Sequence, residues 1–162
     1  MEELTAAEAR AYDAWFDKPW GAYAWAVELA AIDEALPDHR DQAVVEVGCG
    51  TIRLVGHLAV RDARVLGVDV SAGMLAVAAV RIPGRLIRAD ARRLQLQDAI
   101  ADAAVTIATL EFVNPAAVLA ELTRITRAGG RIVALALNPS SPRGTARPAH
   151  PTRPVLDSHL RH

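Results

Sequence analysis

The stretch that decides the reading is VVEVGCGTIR, Val44 to Arg53, where an apolar run meets an acid, Glu46, and two closely spaced glycines, Gly48 and Gly50. Glycine takes positive φ readily and lets a backbone approach another molecule with no Cβ in the way. Ile52, Val55, Leu58 and Ala59 continue at helical spacing. The expected unit is a buried strand, a tight turn and a helix whose first N–H groups face whatever the glycines admit. A nucleotide suits such a turn, although a glycine pair by itself also fits an ordinary strand-to-helix connection.

Spacing separates the nucleotides. The dinucleotide fingerprint needs a third glycine three residues after the second, and Arg53 stands there. The segment resembles instead the E/D-x-G-x-G-x-G first motif of class I S-adenosylmethionine-dependent methyltransferases, carried by Glu46, Gly48 and Gly50, with Ile52 in place of the last glycine. Further elements follow in the same order. RVLGVDVSAGML gives a second strand ending in Asp69, an acid able to accept from both hydroxyls of a ribose, with Ser71 as N-cap of the next helix. RLIRADARRLQL resembles a third strand leading to Asp90, which the resemblance places beside an adenine amino group. ADAAVTIATLEFV and LTRITRAGGRIVALAL resemble the fourth and fifth strands, the latter with Ala128 in place of the usual proline before Gly129 and Gly130. The resemblance runs from about Tyr12 to Pro139 and is nearest to the small-molecule, ubiquinone-biosynthesis-like or "type 11" group. It implies S-adenosylmethionine as cofactor, held by Glu46, Gly48, Cys49, Gly50, Asp69, Val70, Met74, Asp90 and Ala91.

Alternating strands and helices with nearly continuous apolar strands predict an α/β fold: a Rossmann-like, doubly wound, mostly parallel sheet covered on both faces. Strands are expected at 43–47, 64–69, 85–88, 103–109 and 131–137, and helices at 52–60, 72–81 and 115–127, the last capped by Asn114 with Pro115 at its first position. Residues 1–40 read as a helical lid, 41–139 as the α/β core and 140–162 as a tail of irregular structure, since five of the nine prolines lie from Pro139 onward. The family's last strands would then be missing, leaving the fifth strand as an exposed apolar edge; a homodimer is the expected remedy.

Six of the seven aromatic residues lie between Tyr12 and Trp25, in AYDAWFDKPWGAYAW. This opening resembles one that folds over the cofactor in some small methyltransferases, which makes Tyr12, Trp15 and Trp20 lid candidates. Aromatic faces attract a sulfonium cation and exclude water. The same residues could equally be the apolar face of a helix docked on the sheet.

Methyl transfer needs alignment more than a fixed triad, so a general base helps only a protonated acceptor. Glu111, past the fourth strand, is the catalytic candidate; His57 reads rather as a structural or surface histidine. The other histidines have no metal-ligand spacing, and no metal is expected. LEFV follows the fourth strand where base-methylating relatives carry N/D-P-P-Y/F, and the formal charge of −1 offers no footprint for nucleic acid. The single cysteine, Cys49, suits a reducing cytoplasm, and no apolar run reaches the ~20 residues that span a bilayer. The expected partner is a small-molecule methyl acceptor. A degenerate homologue that binds the cofactor without efficient catalysis is the main alternative, ahead of a nicotinamide-dependent protein.

Overall fold

The structure, a computed structural model, describes residues 4–36, 40–59 and 62–136. Local signals set where its helices begin. Thr5 opens α1 (Ala6–Trp15) with a reciprocal capping box: its hydroxyl accepts from the Glu8 N–H at 3.3 Å, and the Glu8 carboxylate accepts from the Thr5 N–H at 2.8 Å. Pro19 starts α2 (Pro19–Ala35), Ser71 caps α4 (Ala72–Ala78), and Asn114 with Pro115 starts α5 (Pro115–Ile125). A short α3 (Arg53–Ala59) follows the glycine turn.

The five strands are β1 (Ala43–Val47), β2 (Arg64–Asp69), β3 (Leu86–Arg88), β4 (Ala101–Ile107) and β5 (Thr126–Leu135). They form one sheet in the order β3-β2-β1-β4-β5, and every pairing is parallel. The chain runs outward from β1 through β2 to β3, then returns to the far side of β1 to lay down β4 and β5. The carboxyl ends of β1 and β4 therefore flank a topological switch point, where open α/β sheets bind ligands.

Alternation within the strands sends apolar side chains to both faces. Val44, Val65, Ala103, Val105 and Val133 pack with Ile32 and Leu36 near the end of α2, Leu54, Val55 and Leu58 of α3, and Ala78 and Ile82. Val45, Val47, Val68, Ala101 and Ala104 pack with Val118, Leu122 and Ile125 of α5. Both faces are covered, as near-continuous apolar strands require. The long connection from β3 to β4 is tied to α5 by Arg124, which donates to the carbonyls of Leu94 and Leu96 and to the carboxylates of Asp98 and Glu121.

β1 and β2 match their expected bounds; other boundaries move for visible reasons. β3 starts one residue late. β4 starts early at Ala101 and stops at Ile107 because Ala108 turns left-handed, at φ 49°. α3 is described to Ala59, with Val60 outside the described residues, and helices expected to run to Arg81 and Arg127 end at Ala78 and Ile125. In the last case β5 begins at once, at Thr126. Between the pairings Ala101↔Thr126 and Ala103↔Arg131 the register shifts, and the Gly129–Gly130 segment takes up the excess. Leu137 and the tail at 140–162 lie outside the described residues.

Candidate active site

The glycine turn is stapled to β2. The Gly48 and Cys49 N–H groups both donate to the Val68 carbonyl, at 2.8 and 3.0 Å, and the Gly50 N–H donates to Asp69 Oδ2 at 2.8 Å. Asp69 Oδ1 accepts from the Ser71 N–H, also at 2.8 Å, so one carboxylate joins the turn to the start of α4. These three N–H groups are thus consumed inside the protein. What the turn offers a ligand is shape. At Gly48 (φ 73°) a Cβ would lie 2.1 Å from Thr109 Oγ1, so the end of β4 closes the turn from behind. At Gly50 a Cβ would meet nothing nearer than Met74 Sδ at 4.0 Å, which leaves this backbone open to a neighbour.

Ile52, standing where the resembled motif has glycine, adopts φ 56°. That is an outlier for a β-branched residue. Its side chain is fully buried, and the room for it comes from Gly67 of β2, where a Cβ would lie 2.3 Å from Ile52 Cδ1. The backbone adopts a glycine conformation while the side chain enters the core.

Three carboxylates gather at the ends of β1, β2 and β3. Glu46 is buried and its Oε2 has no hydrogen-bond partner; burial, with Asp69 nearby, raises its pKa well above the ordinary value. Asp69 accepts on both of its oxygens, from the N–H groups of Gly50 and Ser71. Asp90 is gripped by Arg92, whose guanidinium donates to Oδ2 at 2.6 Å and whose N–H donates to Oδ1 at 2.9 Å; these bonds hold the Asp90 pKa down to about 2. Met74 and Cys49 are buried beside the turn, Ala91 is half-buried and Val70 is exposed. Burial pushes the Cys49 thiol up, which makes it an inert packing group.

The N-terminal helix is fastened to this turn. Asp13 Oδ1 accepts from the Thr51 hydroxyl at 2.5 Å and from Arg53 Nε at 2.8 Å, and Oδ2 accepts from Arg81 at 2.7 Å. Burial works to raise the Asp13 pKa, but Arg81, Thr51 and Arg53 together bring it below the ordinary value. Phe16 sits under the Arg53 guanidinium, 4.9 Å from ring centroid to carbon, and meets Tyr12, Trp15 and Trp25 edge to face. Tyr12 and Trp15 are thus half-buried in an aromatic cluster beside the turn. Trp20, on α2, is 72% exposed and takes no part in that cluster's ring contacts.

With this geometry in view, residues 45–134, over half the chain, match the family described as "Methyltransferase domain". The chain belongs to that family. It is 35% identical over 104 residues to a demethylmenaquinone methyltransferase of Mycolicibacterium vanbaalenii, covering 64% of this chain and 45% of that protein. It is 31% identical over 114 residues to a ubiquinone biosynthesis O-methyltransferase of Dechloromonas aromatica, covering 66% and 49%. The chain therefore spans about half the length of the curated relatives it matches. Among solved structures, an S-adenosylmethionine-dependent methyltransferase of Thermotoga maritima superposes with a TM-score of 0.73 at 28% identity, covering 87% of this chain and 64% of that one.

Other candidates of the methyltransferase domain fall away from the turn or beside it. His57 hydrogen-bonds Asp33 of α2 at 2.7 Å, a helix-to-helix tie. Glu111 is half-buried in the segment after β4. Val27, Glu28 and Ala31 of α2, with Ala108, Leu135 and Ala136, line a mostly apolar recess at the carboxyl ends of β4 and β5. Among the described residues, no cluster of three or more His, Cys, Asp or Glu could hold a metal ion, and no helix is long and apolar enough to cross a membrane.

Sequence reasoning missed Asp13, Thr51 and Arg81. An acid in an otherwise aromatic opening, DAWF, was the available signal for Asp13.

Proposed function

We propose that this methyltransferase domain binds S-adenosylmethionine across the ends of β1, β2 and β3 and transfers its methyl group to a small molecule. The observation that carries the reading is the set of acceptors at the strand ends. The N–H groups of Gly48, Cys49 and Gly50 are already spent on Val68 and Asp69, so a pyrophosphate would find these three donors of the turn taken. It would meet Glu46, Asp69 and Asp90 instead. A ligand bearing hydroxyl or amino donors is favoured there, and the unpartnered buried oxygen of Glu46 gains an interaction when one binds. When bound, S-adenosylmethionine supplies a methyl group activated by its sulfonium.

The chain's own residues then have binding and orienting roles. Asp69 accepts from ribose hydroxyls, while Gly50 lets the backbone approach and Met74 lines the same side. Asp90 takes an adenine amino hydrogen on an oxygen it now shares with Arg92, next to Ala91 and near Val70. Tyr12 and Trp15 wall the site from water; Trp20 reaches it only if α2 shifts. The apolar recess beside Ala108 and Leu135 supports an apolar acceptor, and Glu111, in the segment after β4, is the base we propose where the acceptor carries a proton. Ile52 directs its side chain into the core, so it offers no support for the alternative of a cofactor-binding homologue with a blocked site. A homodimer built on the β5 edge and a cytoplasmic setting complete the proposal.

Titration calorimetry with S-adenosylhomocysteine and with NAD tests it. Heat is expected from the first and none from the second. Asp69→Ala should weaken S-adenosylhomocysteine by about 1.5–3 kcal/mol, the range for hydrogen bonds to a charged group. Equal affinity in that variant removes Asp69 from the cofactor site, and NAD binding alone overturns the reading.

A further inference from the structure

We propose that Asp13 and Arg81 form a latch that holds the strained turn at Ile52 in its cofactor-binding shape, so that α1 supplies what a glycine at position 52 would supply by itself. The inference rests on the cofactor reading above. Asp13 is then a positioning residue.

The latch grips both neighbours of Ile52. On one side the Thr51 hydroxyl donates to Asp13 Oδ1 at 2.5 Å while the Thr51 carbonyl accepts from Arg81 at 2.7 Å. On the other, Arg53 donates through Nε to the same Asp13 oxygen at 2.8 Å and through its terminal nitrogen to the Asp13 carbonyl at 2.7 Å. Arg81 closes the ring by pairing with Asp13 Oδ2 at 2.7 Å. The Asp13 and Arg53 side chains are 14% and 19% exposed, which shields their pairing from the screening that weakens open-surface ion pairs. A non-glycine residue in the left-handed region persists only where its surroundings over-determine it. Here those surroundings are named: an acid from α1, and an arginine from the turn after α4. The Ile52 N–H donates to the Cys49 carbonyl at 2.7 Å, so the conformation at position 52 also fixes the glycine turn that precedes it.

A helix that merely docks on the sheet would be indifferent to what stands at position 52, and a latch would not. The experiment is therefore a cycle. S-adenosylhomocysteine affinity is measured calorimetrically for Asp13→Asn in the natural background and in an Ile52→Gly background, alongside amide exchange over residues 51–54. In the natural background Asp13→Asn should lower affinity about tenfold or more, as expected for losing a charged hydrogen bond. With glycine at 52 the loss should shrink to less than about threefold, within the coupling expected of contacting sites. Exchange should accelerate on Asp13→Asn in the natural background alone. Arg81→Gln, which releases Thr51 from the other side, should reproduce both results, and it replaces Asp13→Asn if that variant does not fold. Equal affinity losses in the two backgrounds overturn the latch. If the natural protein does not bind S-adenosylhomocysteine, the cofactor reading fails and exchange alone decides: acceleration confined to the natural background supports the latch, and equal acceleration in both, or none, overturns it.

Discussion

Ile52 gives the fold its sharpest test, because two opposing terms meet in one residue. Its side chain is fully buried against Gly67 and the core of β1, α3 and β2, so truncation to alanine should cost about 2–5 kcal/mol. Its backbone sits at φ 56°, which costs an L-residue about 1–2 kcal/mol. Ile52→Ala loses the burial and keeps the strain. Ile52→Gly loses one more carbon and sheds the strain, offset in part by the added freedom of the unfolded chain, for a net cost of about 1–4 kcal/mol. The larger truncation should therefore be the more stable of the two, by about 0.5–1 kcal/mol. Urea unfolding followed by circular dichroism reads the difference as a shift in midpoint at constant slope. A glycine variant less stable than the alanine variant would refute the left-handed assignment, and one as stable as the natural protein would refute the burial.

Two further predictions come from the same sheet. Burial raises the Glu46 pKa, with Asp69 adding to it, so the folded chain holds a proton that the unfolded chain releases as pH rises above about 4.3, the ordinary glutamate value. Stability from this group is complete below that value and lost as pH climbs toward the raised folded pKa, with a limiting slope of about 1.4 kcal/mol per unit. Glu46→Gln should gain on the natural protein between pH 5 and pH 8 in urea midpoint, and a pH-independent gap would contradict it. Second, β5 is the outer strand of the described sheet and its Ile132 is 42% exposed. Light scattering at micromolar concentration should give twice the 17.3 kDa of one chain, and a mass of 17.3 kDa would rule out the edge-paired dimer.

Legibility of the fold followed the locality of each signal. The bounds of β1 and β2 were readable because mostly apolar stretches, Ala43–Val47 and Val65–Val68, end against Gly48 and Asp69. Ser71, Asn114 and Pro115 announced their helices for a similar reason: a cap acts within three or four residues. The ends of β4 and α4 were not readable, since the left-handed Ala108 and the turn after Ala78 are fixed by packing rather than by glycine or proline. The same division runs through the site. Glu46, Gly48, Gly50 and Asp69 come together as their spacing foretold, because short strand-turn-helix units position them. Asp13 is 38 residues from Thr51 and 68 from Arg81, and no periodicity connects such positions. Nor does sequence say that the room for Ile52 is made at Gly67, which lies on the neighbouring strand.

That last pairing shows how a motif position can change without loss of its geometry. The turn between β1 and α3 is held from three directions that do not depend on one another. Asp69 fixes Gly50 from β2, Thr109 fills the space behind Gly48 from the turn after β4, and Asp13 grips Thr51 and Arg53 from α1. A glycine at position 52 would make the left-handed bend cheap and leave the Asp13 restraint in surplus. With isoleucine there, the bend costs about 1–2 kcal/mol, an amount that burial of its four side-chain carbons more than offsets. Burial alone cannot choose the left-handed well, because an isoleucine in an ordinary conformation could also find apolar surroundings. The choice falls to the restraints on its neighbours. For this reason the glycine turn, the N-terminal helix and the glycine of β2 have to be read as one unit: altering any of them changes what position 52 can tolerate.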